Sequence, residues 1–332
     1  MTKKEVFCHL VGLLDRKNIR YALVGNTEEY PDHIGSDVDI VTDADGLETF
    51  HRSVWSLETC GIRVIQCFQH EISAFYYILG FENDSGGWDF LQPDICTDYY
   101  RRAIKLLDAV TMLETARQKP CTGCPGGSFC VLSAPDEFIY YLLKKIGKGK
   151  PLSAEQFEHL QAVFAEAPDD CRERARAFGS AALYAAASVD SGEIARLNAV
   201  LPGLKRDILR SGVLPRPRRL RDALRKLCRV VRPTGFVVVL SGEDAHARAS
   251  SLHASVFNAF RRHADFSSLN PGLFRKLAKA KIASTLAVLD GMPRGFARML
   301  VDADLSEKSD AASAVLALLA ARARSRRKVK RS

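Results

Sequence analysis

Apolar residues recur at Val6, Phe7, Leu10, Leu13 and Leu14, which traces one face of a helix over residues 3–18. That helix leads into Tyr21-Ala22-Leu23-Val24, a short apolar strand stopped by Gly25-Asn26. Eleven polar and mixed residues follow, and then Val38-Asp39-Ile40-Val41 forms a second strand. Residues 44–57 read as a second helix with Asp45 at its N-cap. Residues 61–66 and 73–81 read as strands, Asp84-Ser85-Gly86-Gly87 as a hairpin turn, and Trp88-Asp89-Phe90-Leu91 as the strand that returns. From Leu106 to about Lys150 the pattern turns helical around a Gly/Pro-rich loop. Pro135 sits just inside an amphipathic helix that ends at Gly147-Lys148-Gly149-Lys150. Residues 157–209 are Ala-rich and helical, with turns expected near Pro168, Gly179 and Pro202. Phe236-Val237-Val238-Val239-Leu240-Ser241 is an uninterrupted run of the kind found in buried parallel strands. A helix follows the Gly242 loop, and another, rich in Ala and Leu, spans 310–323.

At 332 residues the chain is long enough for two or three domains with proper cores. A hydrophobic content of 47% and a charged content of 26% are those of a globular protein. No apolar run approaches the roughly 20 residues that span a bilayer. Nine cysteines without a secretory signal imply reduced thiols and a cytoplasmic protein. The net charge of +9 is unevenly placed: residues 201–232 hold eleven Lys or Arg against two Asp, and residues 322–331 hold seven basic residues. The basic excess belongs to a connector and a tail, while the first 170 residues are closer to balance.

Candidate chemistry centres on Asp37 and Asp39. A strand alternates its side chains, so both carboxylates leave one face while Val38 and Ile40 point into the core. Two like charges side by side require a cation between them. Oxygen-only ligation suits magnesium, which takes one or two carboxylates plus substrate phosphates. Flanking a solvated hairpin is the plain alternative for the pair.

Val24-Gly25-Asn26 followed by Ser36-Asp37-Val38-Asp39-Ile40 resembles the motif of polymerase-beta-type nucleotidyltransferases: an apolar residue, Gly, then Gly or Ser, a spacer, and an aspartate pair. Asn26 departs from the family's Ser or Gly, although Asn also tolerates a positive-φ turn. The resemblance implies an α+β nucleotidyltransferase domain, a mixed sheet with helices, over residues 1–118. It implies magnesium (or manganese) held by Asp37, Asp39 and a third carboxylate on a neighbouring strand, where Asp89 is expected as ligand or general base. It also implies triphosphate contacts from Gly25, Asn26 and Ser36, and from Lys144 and Lys145 on the helix that closes over the nucleotide. Those lysines equally suit the C-terminal end of a helix as solvated charges.

The segment beginning Arg232-Pro233-Thr234-Gly235, with its strand, glycine-led loop and helix, resembles the thymidylate-kinase-like domain that follows nucleotidyltransferase domains in some bacterial surface-polysaccharide gene clusters. A working phosphate loop needs Gly where Ala245 and Ala247 stand, Lys where Arg248 stands, and Ser or Thr where Ala249 stands. Residues 235–321 are therefore read as a reduced, degenerate α/β P-loop-like domain. It is preceded by a Cys-containing loop and helical domain over 119–212 and a basic connector over 213–234. Within the loop, Cys121-Thr122-Gly123-Cys124 with Cys130 lacks a fourth ligand at zinc-finger spacing, which favours free thiols.

The expected activity is transfer of an NMP from an NTP to a hydroxyl or phosphate acceptor, sugar- or lipid-linked if the gene-cluster resemblance extends so far. The alternative is a catalytically inactive scaffold that binds membrane or partner enzymes through the connector and the 322–332 tail. Arg322, Arg324, Arg326, Arg327, Lys328, Lys330 and Arg331 suit anionic lipid headgroups at the inner face of a membrane at about 1 kcal/mol per charge. The tail lacks the interleaved aromatics that favour single-stranded nucleic acid.

Overall fold

A capping box starts the first helix, α1 (Lys3–Arg16). The Thr2 hydroxyl accepts from the Glu5 amide at 3.2 Å, and the Glu5 carboxylate accepts from the Thr2 amide at 2.8 Å. The computed structural model describes residues 1–35, 37–101, 104–148, 151–211, 220, 223–225, 227–228 and 232–329. After α1 come β1 (Tyr21–Val24), β2 (Val38–Thr42), α2 (Ala44–Ser53) and a 3-10 turn (Val54–Cys60). The N-cap of α2 is Asp43 and not Asp45: its carboxylate accepts from the Gly46 amide at 2.7 Å.

Strands β3 (Arg63–Gln69), β4 (Ala74–Glu82), β5 (Trp88–Leu91) and β6 (Pro93–Cys96) follow, then a separate hairpin of β7 (Asp98–Arg101) and β8 (Ile104–Asp108). Asp108 caps the short α3 (Ala109–Glu114). The segment expected to turn helical instead supplies β9 (Arg117–Pro120) and β10 (Ser128–Val131). Val131 of β10 pairs in parallel with Leu23 of β1, so the cysteine loop joins the first sheet and does not open a helical domain at 119. The sheet runs β3-β4-β6-β2-β1-β10-β9, with β5 on the outer part of β4.

Strand parity divides this sheet into two faces. Leu23, Val38, Ile40, Tyr77, Leu79, Phe81, Leu91 and Ile95 pack with α1 and α2. Among them Tyr77 and Phe81, with Phe7 and Phe50 from the helices, are fully buried; each contributes about 2–3 kcal/mol. Val24, Val41, Ala74 and Cys96 face the other way, onto a helical layer. That layer is α4 (Ala134–Lys148), α5 (Ala154–Glu166), α6 (Pro168–Arg176), α7 (Ser180–Asp190) and α8 (Ile194–Ser211). Pro202 lies inside α8 and makes no turn there.

The C-terminal unit holds β11 (Phe236–Val239), α9 (Ala245–Ser255), β12 (Arg262–Phe266), α10 (Leu273–Ile282), β13 (Thr285–Leu289), β14 (Ala303–Asp304) and α11 (Ala311–Val329). Its strands are all parallel in the order β12-β13-β11-β14. It shares a core with the first sheet: Ile65, Ile78 and Phe90 join Phe236, Leu252, Val315 and Leu319. Three arginines expected in a free basic tail are engaged by the fold, two of them partly buried and Arg324 at the surface. Arg322 donates to the carbonyls of Gly235 and Thr234, Arg326 to that of Pro233, and Arg324 to Glu58. The side chains of Arg327 and Lys328, and all of Lys330 and Arg331, lie outside the described residues, as does most of the basic connector. Among the described residues, no helix is long and apolar enough to cross a membrane.

Candidate active site

Asp39 lies in the middle of β2, between the buried Val38 and Ile40, and its parity sends the carboxylate to the face covered by α4. β2 pairs in parallel with β6, in a register that sets Asp39 directly beside Asp94. Asp37, one residue before β2, adds its negative charge to both. The structure thus gathers Asp37, Asp39 and Asp94. Ser36, expected to contact phosphate, lies outside the described residues.

Asp89, the expected third carboxylate, is on the opposite face. It pairs with Phe81 in register and faces Lys3 of α1, with 3.7 Å between the ammonium and the carboxylate. The reason is arithmetic. The return strand continues past Leu91 into β6, and side chains an odd number of residues apart leave opposite sides of an extended chain. Asp94, five residues beyond Asp89, therefore reaches the face that Asp89 cannot. Ending the return strand at Leu91 hid it; carrying the alternation through Gln92-Pro93 is the signal that finds it.

The cluster is buried and electrostatically loaded. Burial and the neighbouring Asp39 charge push the Asp94 carboxyl up to about 8. Burial also raises Asp39, against the pull of Lys144. Lys144 comes from α4 and ion-pairs with Asp39. Burial alone lowers the Lys144 ammonium pKa, but Asp39, Asp37 and Asp94 outweigh it and leave it raised. His70 stands 3.3 Å from the Asp94 carboxylate. Tyr30, whose hydroxyl donates to the Asp37 carbonyl at 3.4 Å, is pushed up to about 12 by burial and by Asp39. Lys145, predicted alongside Lys144, lies 4.7 Å over the Tyr141 ring.

The glycine turn is engaged from the same helix. Gly25, at φ +94, donates its amide to both oxygens of Glu137, at 2.9 and 3.1 Å. Asn26 accepts from the Glu28 amide at 3.2 Å, the local bond that stabilises such a turn. A cleft of about 240 Å³ adjoins it, lined by Gly25, Thr27, Arg117, Lys119, Glu137 and His159. The Lys119 ammonium donates to the Thr27 carbonyl at 2.9 Å. Glu137 and Lys144 are seven residues apart and share one face of α4. One helix face thus carries an anion to the glycine amide and a cation to the acids.

The residue types fit a hard divalent cation: carboxylate oxygens from two adjacent strands, one of them pushed up by burial and by its neighbour's charge. Lys144 already ion-pairs with Asp39, and among the described residues the three acids do not form a group of ligand atoms within 4.8 Å of one another. Ligation by all three requires the ammonium to leave Asp39.

No protein-family model and no curated protein matches the chain. Among solved structures, it is 15% identical to an antigenic nucleotidyltransferase-like protein from Paracoccidioides brasiliensis, covering 60% of this chain and 91% of that one at a TM-score of 0.35. The antibiotic-resistance factor ANT(2'')-Ia is 12% identical over 53% of this chain and 92% of that one, at 0.31. A candidate nucleotidyltransferase from H. pylori is 11% identical over 69% of this chain and 99% of that one, at 0.34. Overlaps this partial leave the reading of the site to its own geometry.

Proposed function

We propose that the chain is a divalent-metal-dependent nucleotidyltransferase that moves an NMP from an NTP to a hydroxyl or phosphate acceptor. The observation that carries this reading is the β2–β6 register, which sets Asp39 beside Asp94 with Asp37 close by, on a face beneath a lysine-bearing helix. Magnesium or manganese, held by Asp37, Asp39 and Asp94, would supply the charge that neutralises developing negative charge on the phosphates. Lys144, released from Asp39, is the cation nearest to an incoming triphosphate. The Gly25 amide, released from Glu137, is a donor for a phosphate oxygen. Asp94, whose carboxyl is pushed up to about 8 by burial and by Asp39, would serve as the third ligand or as base toward an attacking hydroxyl.

The C-terminal unit in this reading performs no phosphoryl transfer. A strand, a loop at Gly242 and a helix from Ala245 supply the frame of a phosphate loop. Arg248, in the lysine position, is instead spent on the carbonyls of Ser306, Leu305 and Lys308, each at 2.7–2.8 Å. A second reading, a scaffold without catalysis, draws on the engagement of Gly25 by Glu137 and of Asp39 by Lys144.

Calorimetric titration of NTPs in the presence and absence of magnesium separates the two. Magnesium-dependent binding by the wild type, lost in Asp39→Asn, is expected of the enzyme. Equal binding by the two proteins would exclude it.

A further inference from the structure

Three cysteines that the acid cluster does not use meet on the α1 side of the sheet. Cys121 and Cys124 bracket the turn after β9 and are joined by a disulfide. Cys8, from the middle of α1, faces that turn with its sulphur 3.2 Å from that of Cys124. All three are buried, at 8, 3 and 7% exposure for Cys8, Cys121 and Cys124. Their sulphurs lie within 4.8 Å of one another, the one group of three His, Cys, Asp or Glu ligand atoms this close among the described residues. Cys130, the third cysteine expected from the spacing, is elsewhere, accepting from the Gln118 amide at 3.1 Å.

The backbone around the three sulphurs is specified on both sides. Gly123, Gly126 and Gly127 take φ of +96, +86 and +71, which tightens the loop into a knuckle. The Cys121 amide donates to Gly127 at 2.8 Å, and the Gly127 amide to Cys124 at 3.0 Å. Pro125 presses on α1 at Gly12, where a Cβ would come 2.9 Å from its ring. One turn before Cys8, Lys4 places its ammonium on Asp32 at 2.6 Å. A disulfide across Cys-x-x-Cys closes so short a loop that it contributes little stability, and it needs no third sulphur. Zinc does: Cys-x-x-Cys on a tight turn plus a distant cysteine is a thiolate ligand set, with Zn–S of about 2.3 Å and sulphurs ~3.8 Å apart.

We propose that Cys8, Cys121 and Cys124 bind one zinc ion as thiolates and so pin the cysteine knuckle to α1. Reduction of the Cys121–Cys124 bond by a dithiol delivers two electrons and two protons, leaves two thiols, and closes the reductant to its own disulfide. Zinc then displaces the three thiol protons into solvent, and water completes the tetrahedron. Three thiolates and one divalent ion carry a single net negative charge. Burial, with the Asp32 and Glu5 charges, opposes the Cys8 thiolate while Lys4, paired with Asp32, favours it, so the metal itself must stabilise the thiolate. The proposal is independent of the nucleotidyl-transfer reading.

The test uses the full chain, reduced with dithiothreitol and desalted anaerobically, then titrated with zinc and separately with cobalt. About one zinc per chain is expected, with a thiolate-to-cobalt charge-transfer band and tetrahedral ligand-field bands. Cys8→Ser should weaken zinc binding by more than about tenfold, since even loss of outer-sphere partners costs that much. Cys130→Ser should leave binding unchanged. Thiol titration of the native wild type covers the case where Cys8→Ser fails to fold: zinc should protect three thiols from reaction. Reduced wild-type protein that binds no zinc, or unchanged binding by Cys8→Ser, overturns the proposal. So does a thiol count that zinc does not alter.

Discussion

Replacing Asp94 by Asn separates the stability of the acidic cluster from its use. In the fold, burial and the Asp39 charge hold the Asp94 proton until about pH 8, against 3.8 for an ordinary aspartate. Below the unfolded value neither state ionises and the group carries no penalty. Between 3.8 and about 8 the unfolded chain releases the proton while the fold keeps it, so the stability present at low pH is progressively lost as pH rises. Above 8 both states are ionised and the loss is complete. Asn keeps the shape without titrating. At about 1.36 kcal/mol per pH decade, raising the pH from 5 to 8 should cost the wild type up to about 4 kcal/mol that Asp94→Asn does not lose. Urea midpoints of both proteins at pH 5 and pH 8, in EDTA, measure the difference. Magnesium at pH 8 should restore the wild type, whose ionised Asp94 becomes a ligand, and leave Asp94→Asn unchanged. Parallel pH profiles in EDTA would refute the buried-acid reasoning, and equal magnesium responses would remove Asp94 from the metal site.

Lys144→Met should destabilise the metal-free protein by about 3–5 kcal/mol, because Asp39 is left without its partner, and magnesium should raise its melting temperature more than the wild type's. Asp89→Asn removes a partly exposed contact with Lys3 and keeps an oxygen for the Phe90 amide; urea midpoints should move by less than about 1 kcal/mol, and metal-dependent NTP binding should persist. Its loss would return Asp89 to the site. Arg248→Ala removes three hydrogen bonds to carbonyls, of which that of Leu305 keeps the Lys308 amide, and should cost about 2–3 kcal/mol by urea unfolding, with NTP affinity unchanged. Gly235→Ala places a Cβ against the backbone carbonyl of Ala280 and should lower expression and melting temperature sharply.

The aspartate strand was legible because its alternation is local: Val38 and Ile40 are buried and Asp39 is turned away from them. The third acid was not, because its identity depends on how far one strand runs. The β5–β6 continuation inverts the answer, sending Asp89 to Lys3 and Asp94 to Asp39. The cysteine segment misled for a related reason. Short strands such as β9 and β10, joined by a Gly-rich loop, give little signal of their own and exist through their pairing with each other and that of β10 with β1. Cys8 could not be joined to Cys121 and Cys124 by spacing at all, since more than a hundred residues separate them. Likewise, a run of arginines at the end of a chain reads as a solvated tail until the carbonyls of Pro233, Thr234 and Gly235 are found beneath it.

Helix α4 ties these observations to one physical consequence. A buried acidic pair without a cation, and a glycine amide without an acceptor, are both costly, and α4 satisfies both from one face with Lys144 and Glu137. On the proposed reading, these are the charges that a metal and a phosphate would bring. A nucleotide with its metal would then displace both Glu137 and Lys144, and because both contacts leave from one face of α4, loosening one should ease release of the other. Metal and nucleotide should accordingly bind cooperatively through α4, and the coupling should fall in Glu137→Gln, whose neutral side chain holds the Gly25 amide less tightly.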